Sequence, residues 1–241
     1  MERVKGELLY EGKAKKMFAV KDRPQEVWVE YKDSLTAFNA QKKGTFSGKG
    51  SINARITSLL YQRLKNQGVP NHWLADINSN EMVCQKVTVI PLEVVTRNRL
   101  AGSTAKKLGK EEGTPLKKPL VEFYYKDDAL ADPFVSDDQA LMMNTVKSQE
   151  ELDFLKAEAL RINKVLQAEF LKGGLELIDF KLEFGRTAEG KIVLADEVSP
   201  DTCRLWDVKT GDKYDKDRFR RDLGRVEESY QEVLKRLEKG I

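Results

Sequence analysis

From Ile178 to Phe184 apolar and charged side chains alternate without a break. Ile178, Phe180, Leu182 and Phe184 fall on one side, and Asp179, Lys181 and Glu183 on the other. Successive side chains of a strand point to opposite faces, so the stretch predicts a strand with one apolar and one charged face. A second apolar run, Ile192 to Ala195, ends in Asp196-Glu197. With "RTAEG" between the runs, a two-residue turn at Glu189-Gly190 predicts a hairpin that pairs Ala188 with Lys191. That register sets Glu183 opposite Asp196, with Cβ atoms roughly 5 Å apart. Two carboxylates so close need compensation. Solvent and Lys181 can supply it; so can a hard divalent cation, because Mg²⁺ takes one or two carboxylates and completes its shell with phosphate oxygens and water.

The same reasoning divides the rest of the chain. Glu7 to Val20 reads as strand, Glu-Gly turn, strand, and Val27, Val29 and Tyr31 alternate in a third strand. Asp33 to Gly50, polar and glycine-rich, reads as a flexible functional loop. Ile52, Ile56, Leu59, Leu60 and Leu64 have helical spacing, with Gly68 placed to end the helix. Val69 to Ile77 reads as a connection with a short strand. Met82 to Val95 is rich in β-branched residues, but Pro91 argues against one uninterrupted strand there. Val121 to Tyr125 predicts another strand. Ser148 and Glu151 fit a capping box before a long helix with the stripe Leu152, Leu155, Ala159, Ile162, Leu166 and Phe170, ended by Gly173-Gly174. A final helix is expected from about Asp217 to Leu237, burying Phe219, Leu223, Val226, Tyr230, Val233 and Leu237.

Composition narrows the function classes. The 241 residues are 40% hydrophobic, enough for a sizeable core in one large domain or two lobes. A net charge of +3 is too small to argue for nucleic-acid binding. Without a long apolar run, neither export nor membrane insertion is expected. Cys84 and Cys203 lie far apart and read as reduced thiols of a cytoplasmic protein. The single histidine, His72 in "PNHWL", has no nucleophile motif nearby, which argues against a Ser-His-Asp triad, and a zinc site built on several His and Cys ligands is not expected. It reads as a surface or half-buried loop residue. Chemistry must then rest on carboxylates, lysines and arginines, with or without a hard metal.

Two stretches carry candidate anion sites. Lys13, Lys15 and Lys16 follow the Gly12 turn and can hold phosphate oxygens as point charges, or form a solvated hairpin tip. This is not a Walker A loop. Ser103, after Gly102, reads as a helix N-cap with Arg97 and Arg99 upstream. A helix N-terminus plus arginine makes an anion site, although an ordinary capped helix with solvated arginines has the same pattern.

Taken together, "LLYEGKAKK", "IPLEVVTRNRLAGS", "YYKDDALADP", "LIDFKLEFG", "LADEVSPDTCRLWD" and "DKDRFRRDLG" resemble the SAICAR synthetase family of purine biosynthesis, in the family's order and over nearly the whole chain. The resemblance implies an α+β fold of two lobes with antiparallel sheets, flanking helices and ATP in the cleft between them. Residues 1–88 would form a β-rich nucleotide-binding lobe and 89–241 an α+β lobe with the metal and ribotide sites. It implies a ligase that joins carboxyaminoimidazole ribotide (CAIR) to L-aspartate with ATP as co-substrate and Mg²⁺ as cofactor, working as a homodimer. By the same resemblance, Lys13, Lys15 and Lys126 serve the nucleotide phosphates. Backbone from Lys86 to Val89 meets adenine. Glu183 and Asp196 hold the metal. Glu93, Arg97, Ser103, Asp179, Lys181, Arg204 and Arg220 line the ribotide site. Lys181 and Asp179 are the candidate catalytic residues, Asp179 as acceptor of the aspartate amine's proton. The chain departs from the common family pattern at Asn39 and Ala54, so that loop receives no role. A small-molecule kinase would use similar parts, but the chain lacks a kinase G-x-G-x-x-G loop and an H-R-D catalytic loop. A non-catalytic nucleotide-binding module would have little need for the ribotide-site residues.

Overall fold

The computed structural model describes residues 2–38 and 40–240; Asn39 lies outside the described residues. β1 (Lys5–Glu11), β2 (Lys15–Val20) and β3 (Glu26–Tyr31) form the expected antiparallel meander. At its first turn the Gly12 amide donates to the Lys15 carbonyl at 2.8 Å. Asp33 to Gly50 differs from the expected loop. It holds a hairpin, β4 (Ser34–Ala37) with β5 (Lys42–Thr45), and the start of α1 (Lys49–Asn66). Asp33 orders the approach to that helix by accepting the amides of Gly48 and Gly50, at 3.1 and 2.9 Å. β6 (Trp73–Asp76) and β7 (Glu81–Gln85) then complete a five-stranded sheet in the order β1-β2-β3-β7-β6.

Lys86 and Val87 lead into a second sheet. Its elements are β8 (Thr88–Arg99), α2 (Gly102–Lys107), β9 (Pro115–Tyr125), β10 (Phe134–Val135), α3 (Asp137–Met142), α4 (Gln149–Lys172), β11 (Leu175–Arg186), β12 (Ile192–Ala195) and β13 (Cys203–Asp207). The strand order is β10-β9-β8-β11-β12, and β13 also pairs with β11. β8 runs through Pro91. It pairs with β11 at Val89–Gly185 and again at Glu93–Glu183, so the longer β8 segment bulges between those positions. A residue with no N–H is tolerated inside such a bulge.

The β11–β12 register is one residue from the expected one. Glu183 pairs with Ala195 and Arg186 with Ile192. The connection is a three-residue loop, Ala188 to Gly190. Thr187 N–H donates to the Lys191 carbonyl and Gly190 N–H to the Thr187 carbonyl, both at 2.9 Å. Gly190 takes φ +79°, the left-handed position such a loop requires.

Three helix ends also differ. Ala101, not Ser103, is the N-cap of α2, and Ser103 is exposed in the first turn. Ser148 caps α4 without a capping box, because Glu151 accepts the Lys147 amide at 2.6 Å and pairs with Arg186. The last helix is broken into α5 (Asp217–Arg220) and α6 (Val226–Lys239). Asp222, Gly224 and Arg225 adopt φ of +54°, +68° and +52°, which a continuous right-handed helix cannot contain. Leu223 is consequently exposed, and Phe219 packs on β5, where a Cβ on Gly44 would lie 2.9 Å from its ring.

The apolar face of β11, with Phe180, Leu182 and Phe184, joins a core with Ile56, Leu60 and Leu64 of α1, Leu155, Ile162 and Leu166 of α4, and Tyr230, Val233 and Leu237 of α6. α1 precedes residue 88, yet its face belongs to this shared core. The opposite face of β11 is left to the charged residues. The fold is α+β, and no helix among the described residues is long and apolar enough to cross a membrane.

Candidate active site

A cleft of about 1070 Å³ opens between the two sheets. Its walls come from β1–β3, the β4–β5 hairpin, the Lys86–Val87 connector, the charged face of β8 and β11, and the segment after β12. Lys13, Lys15, Lys86, Lys126, Glu93, Lys181, Glu183, Asp196 and Arg220 all line it. One end is apolar, with Met17, Val27, Val29, Met82, Val87 and Val89.

Charged residues gather where β11 faces the first sheet. Glu183 is buried, and its Oε1 accepts Lys126 Nζ at 2.8 Å and Lys181 Nζ at 3.0 Å. Lys181 also donates to Glu93 at 2.7 Å. Burial alone would lower the Lys181 pKa, but Glu183 and Glu93 outweigh it and hold the ammonium firmly protonated. This pairing favours the charged form of Lys181.

Asp196 follows the end of β12 and reaches the same place by another route. Its φ of +60° interrupts the strand alternation, and its carboxylate pairs with Lys15 in the cleft wall. Burial would raise its pKa, but Lys15 and Lys181 bring it down to about 2, so it stays ionised. Lys15 also lies 2.8 Å from the buried Glu197. Lys13 reaches across the cleft mouth to Asp128 at 2.7 Å.

Arg97, Asp179, Arg204 and Ser103 do not line this cleft. The first three form a neighbouring network on the same sheet face. Asp179 pairs with Arg97 of β8 and with Arg204 of β13 in the strand registers. Arg97 donates to Asp179 Oδ2 and to Glu122, each at 2.6 Å. Arg204 donates to both Asp179 oxygens, at 3.0 and 2.8 Å, and to Asp217 at 3.0 Å. Asp217, 1% exposed, also holds Arg220 at 2.6 Å, which links this network back to the cleft. Gly102 brings the start of α2 close to Arg204; a Cβ there would lie 2.5 Å from its guanidinium. Ser103, the next residue, stands beside this contact.

Several residues of the site escaped the sequence reading. Glu197, Asp201, Asp128 and Lys216 line the cleft, and Asp217 ties three arginines together. Asp196-Glu197 and the run "DKDRFRR" were the available signals. His72 is buried rather than half-exposed, edge-on to Tyr61 at 5.7 Å, with its pKa lowered to about 4 by burial and then by Lys15. Its neighbours are brought to it by the pairing of the chain before β6 with Leu194.

Glu183 and Asp196 supply carboxylate oxygens, donors suited to a hard cation. No cluster of three or more His, Cys, Asp or Glu side chains placed to hold a metal occurs among the described residues. Two protein carboxylates are the usual complement for Mg²⁺ shared with phosphate oxygens and water.

The family model of SAICAR synthetase matches residues 8–237. The phosphoribosylaminoimidazole-succinocarboxamide synthase of Bacillus cytotoxicus is 55% identical, over 96% of each chain. The crystal structure of the Ehrlichia chaffeensis synthase superposes with a TM-score of 0.93 at 44% identity, covering 96% of this chain and 98% of that one. A SAICAR synthetase in complex with ADP superposes with a TM-score of 0.91 at 43% identity, covering 95% and 96%.

Proposed function

The chain belongs to the SAICAR synthetase family, and on that premise we propose how its residues divide the work. It is an ATP-dependent ligase of purine biosynthesis that joins CAIR and L-aspartate as an amide while ATP becomes ADP and phosphate. The observation that carries the residue assignments is the single cleft that brings Lys13, Lys15, Lys126, Lys181, Glu183 and Asp196 together from both sheets.

The adenine lies against the apolar end of the cleft, with Lys86 to Val89 along its edge. Lys13, Lys15 and Lys126 neutralise the phosphates. Each already stands beside a carboxylate, so phosphate replaces one anionic partner with another. Glu183 and Asp196 would hold Mg²⁺, which when bound neutralises charge on the phosphates. Arg97, Ser103, Arg204 and Arg220 hold the anionic groups of the ribotide, and Glu93, Asp179 and Lys181 line its other contacts. Lys181, held in its charged form by Glu93 and Glu183, stabilises charge at the ribotide carboxylate as it attacks the γ-phosphoryl group. The product of that attack is an acyl phosphate, whose phosphate leaves readily where oxide would not. Asp179 first acts by fixing Arg97 and Arg204. It becomes the acceptor of the amine's proton when those arginines turn to substrate.

The division into lobes 1–88 and 89–241 is proposed on the Lys86–Val87 connector between the sheets. A cytoplasmic homodimer is the proposed working form, supported by reduced Cys84 and Cys203 and by exposed Leu8 and Tyr10 on the edge strand β1. Incubation with ATP, CAIR and L-aspartate tests the reading. Product and ADP should form in equal amounts and only with all three present; ADP release that ignores both acid and amine would contradict it.

A further inference from the structure

The charged residues of the cleft fall into three groups, and the reading above uses two: the lysines and carboxylates around Glu183 and Asp196, and the arginines tied to Asp179 and Asp217. The third is a corner at the start of α5, where Lys216 stands with Asp201 and Thr202 beside Arg220 of the second group.

Lys216 differs from the four lysines that the reading above uses. Lys13, Lys15, Lys126 and Lys181 each have a carboxylate oxygen within 3.0 Å. The carboxylate contact of Lys216 is long, 4.0 Å to Asp201 Oδ1. That carboxylate is already committed. Oδ1 accepts the Tyr230 hydroxyl at 2.6 Å, and Oδ2 is held by Lys49 and by Asn53, the latter at 3.0 Å. The Lys216 side chain is only 16% exposed. Burial is the main influence lowering its pKa, Arg220 and Lys49 add to it, and Asp201 and Glu197 do not restore it. These features describe an ammonium short of negative charge, and a low-dielectric site gains most from an anion placed there.

The corner is also walled. Phe219 of α5 packs on Gly44 of β5, and Lys42 stacks over the Phe219 ring at 5.0 Å while pairing with Asp222 at 2.6 Å. The β4–β5 hairpin is thereby fixed to α5, and Thr36 of β4 and Gln41 of the hairpin tip line the same cleft as Lys216.

We infer that Lys216 binds a carboxylate of the amino-acid substrate and selects a dicarboxylic amino acid. The inference rests on the ligase reading. The nucleotide phosphates face Lys13 and Lys15, and the ribotide has the arginine network; the anion left for Lys216 is the amino acid.

Steady-state kinetics of Lys216→Met and Lys216→Arg test this, with succinate as a dicarboxylate inhibitor that lacks the amine. Loss of a charge-assisted contact should raise KM for L-aspartate and Ki for succinate at least tenfold in Lys216→Met, and less in Lys216→Arg, while KM for ATP and for CAIR moves less than twofold. An unchanged Ki for succinate overturns the inference. So does a fall in kcat with unchanged KM for aspartate, which would mark Lys216 as a base. Equal increases in all three KM values would also overturn it, by showing a general structural effect. Thermal melts of both variants establish that they fold. If the ligase reading itself failed, the unaltered protein would form no product from the three substrates.

Discussion

Arg204 Nη1 contacts both oxygens of Asp179, at 3.0 and 2.8 Å, while Arg97 Nη1 holds one of them at 2.6 Å. Asp179 and Arg97 are buried, so this network has little solvent. Removing the carboxylate leaves Arg97 with Glu122 and Arg204 with Asp217 as their remaining carboxylate partners. Asp179→Ala should lower stability by about 1–3 kcal/mol, from the buried donors it leaves unsatisfied, read by denaturant titration; unchanged stability would contradict the network's assigned role.

The planar, forked guanidinium cannot be replaced by a point charge. Arg97→Lys and Arg204→Lys should each reduce kcat/KM for CAIR by roughly ten- to a hundredfold, from lost charge-assisted contacts. KM for ATP should change little. Wild-type CAIR kinetics in both variants would remove these residues from the ribotide site.

Glu183→Gln and Asp196→Asn should each cut turnover by about a hundredfold or more and raise the Mg²⁺ concentration needed for half-maximal rate. A magnesium titration of activity reads both effects. Near-normal rates in both variants at limiting Mg²⁺ would show that neither carboxylate holds the metal.

Lys13→Met should weaken ATP binding by about tenfold, a modest effect because Lys15 and Lys126 remain and Lys13 sits at the partly exposed mouth of the cleft. Calorimetry should find CAIR affinity nearly unchanged. Unchanged ATP affinity would argue against phosphate contact by Lys13.

Asp215 is fully buried, and its carboxyl is pushed up to about 7, first by burial and then by Asp217. The folded chain therefore holds this proton more tightly than the unfolded chain does. The stability that follows is complete below about pH 4 and is lost as pH rises through 7. The difference in unfolding free energy between wild type and Asp215→Asn should fall over that window at up to about 1.4 kcal/mol per pH unit. A flat difference would place the Asp215 proton elsewhere.

Much of this site was legible because strand alternation is local. Asp179, Lys181 and Glu183 share a face by periodicity alone, and the helical stripe of α4 predicts the core behind them. The hairpin register was not legible, since "RTAEG" suits both a two-residue turn and a three-residue loop closed by Gly190 in the left-handed conformation. The one-residue shift would have sent Asp196 away from the cleft, but its own positive φ turns it back. Pro91 misled for a related reason: a bulge can absorb a missing N–H, and bulges have no clear single-sequence signal. His72 owes its burial and partners to segments far along the chain, and Asp217 meets Arg204 only through the pairing of β13, so local pattern could not place those contacts.

In the proposed mechanism ATP activates the ribotide carboxylate by phosphoryl transfer to one of its oxygens. Ligation of CAIR carrying ¹⁸O in its carboxylate tests this most directly, with mass analysis of the released phosphate. Transfer of the γ-phosphoryl group to that carboxylate requires one labelled oxygen to leave with each phosphate. Phosphate free of label, formed in step with product, would contradict the account.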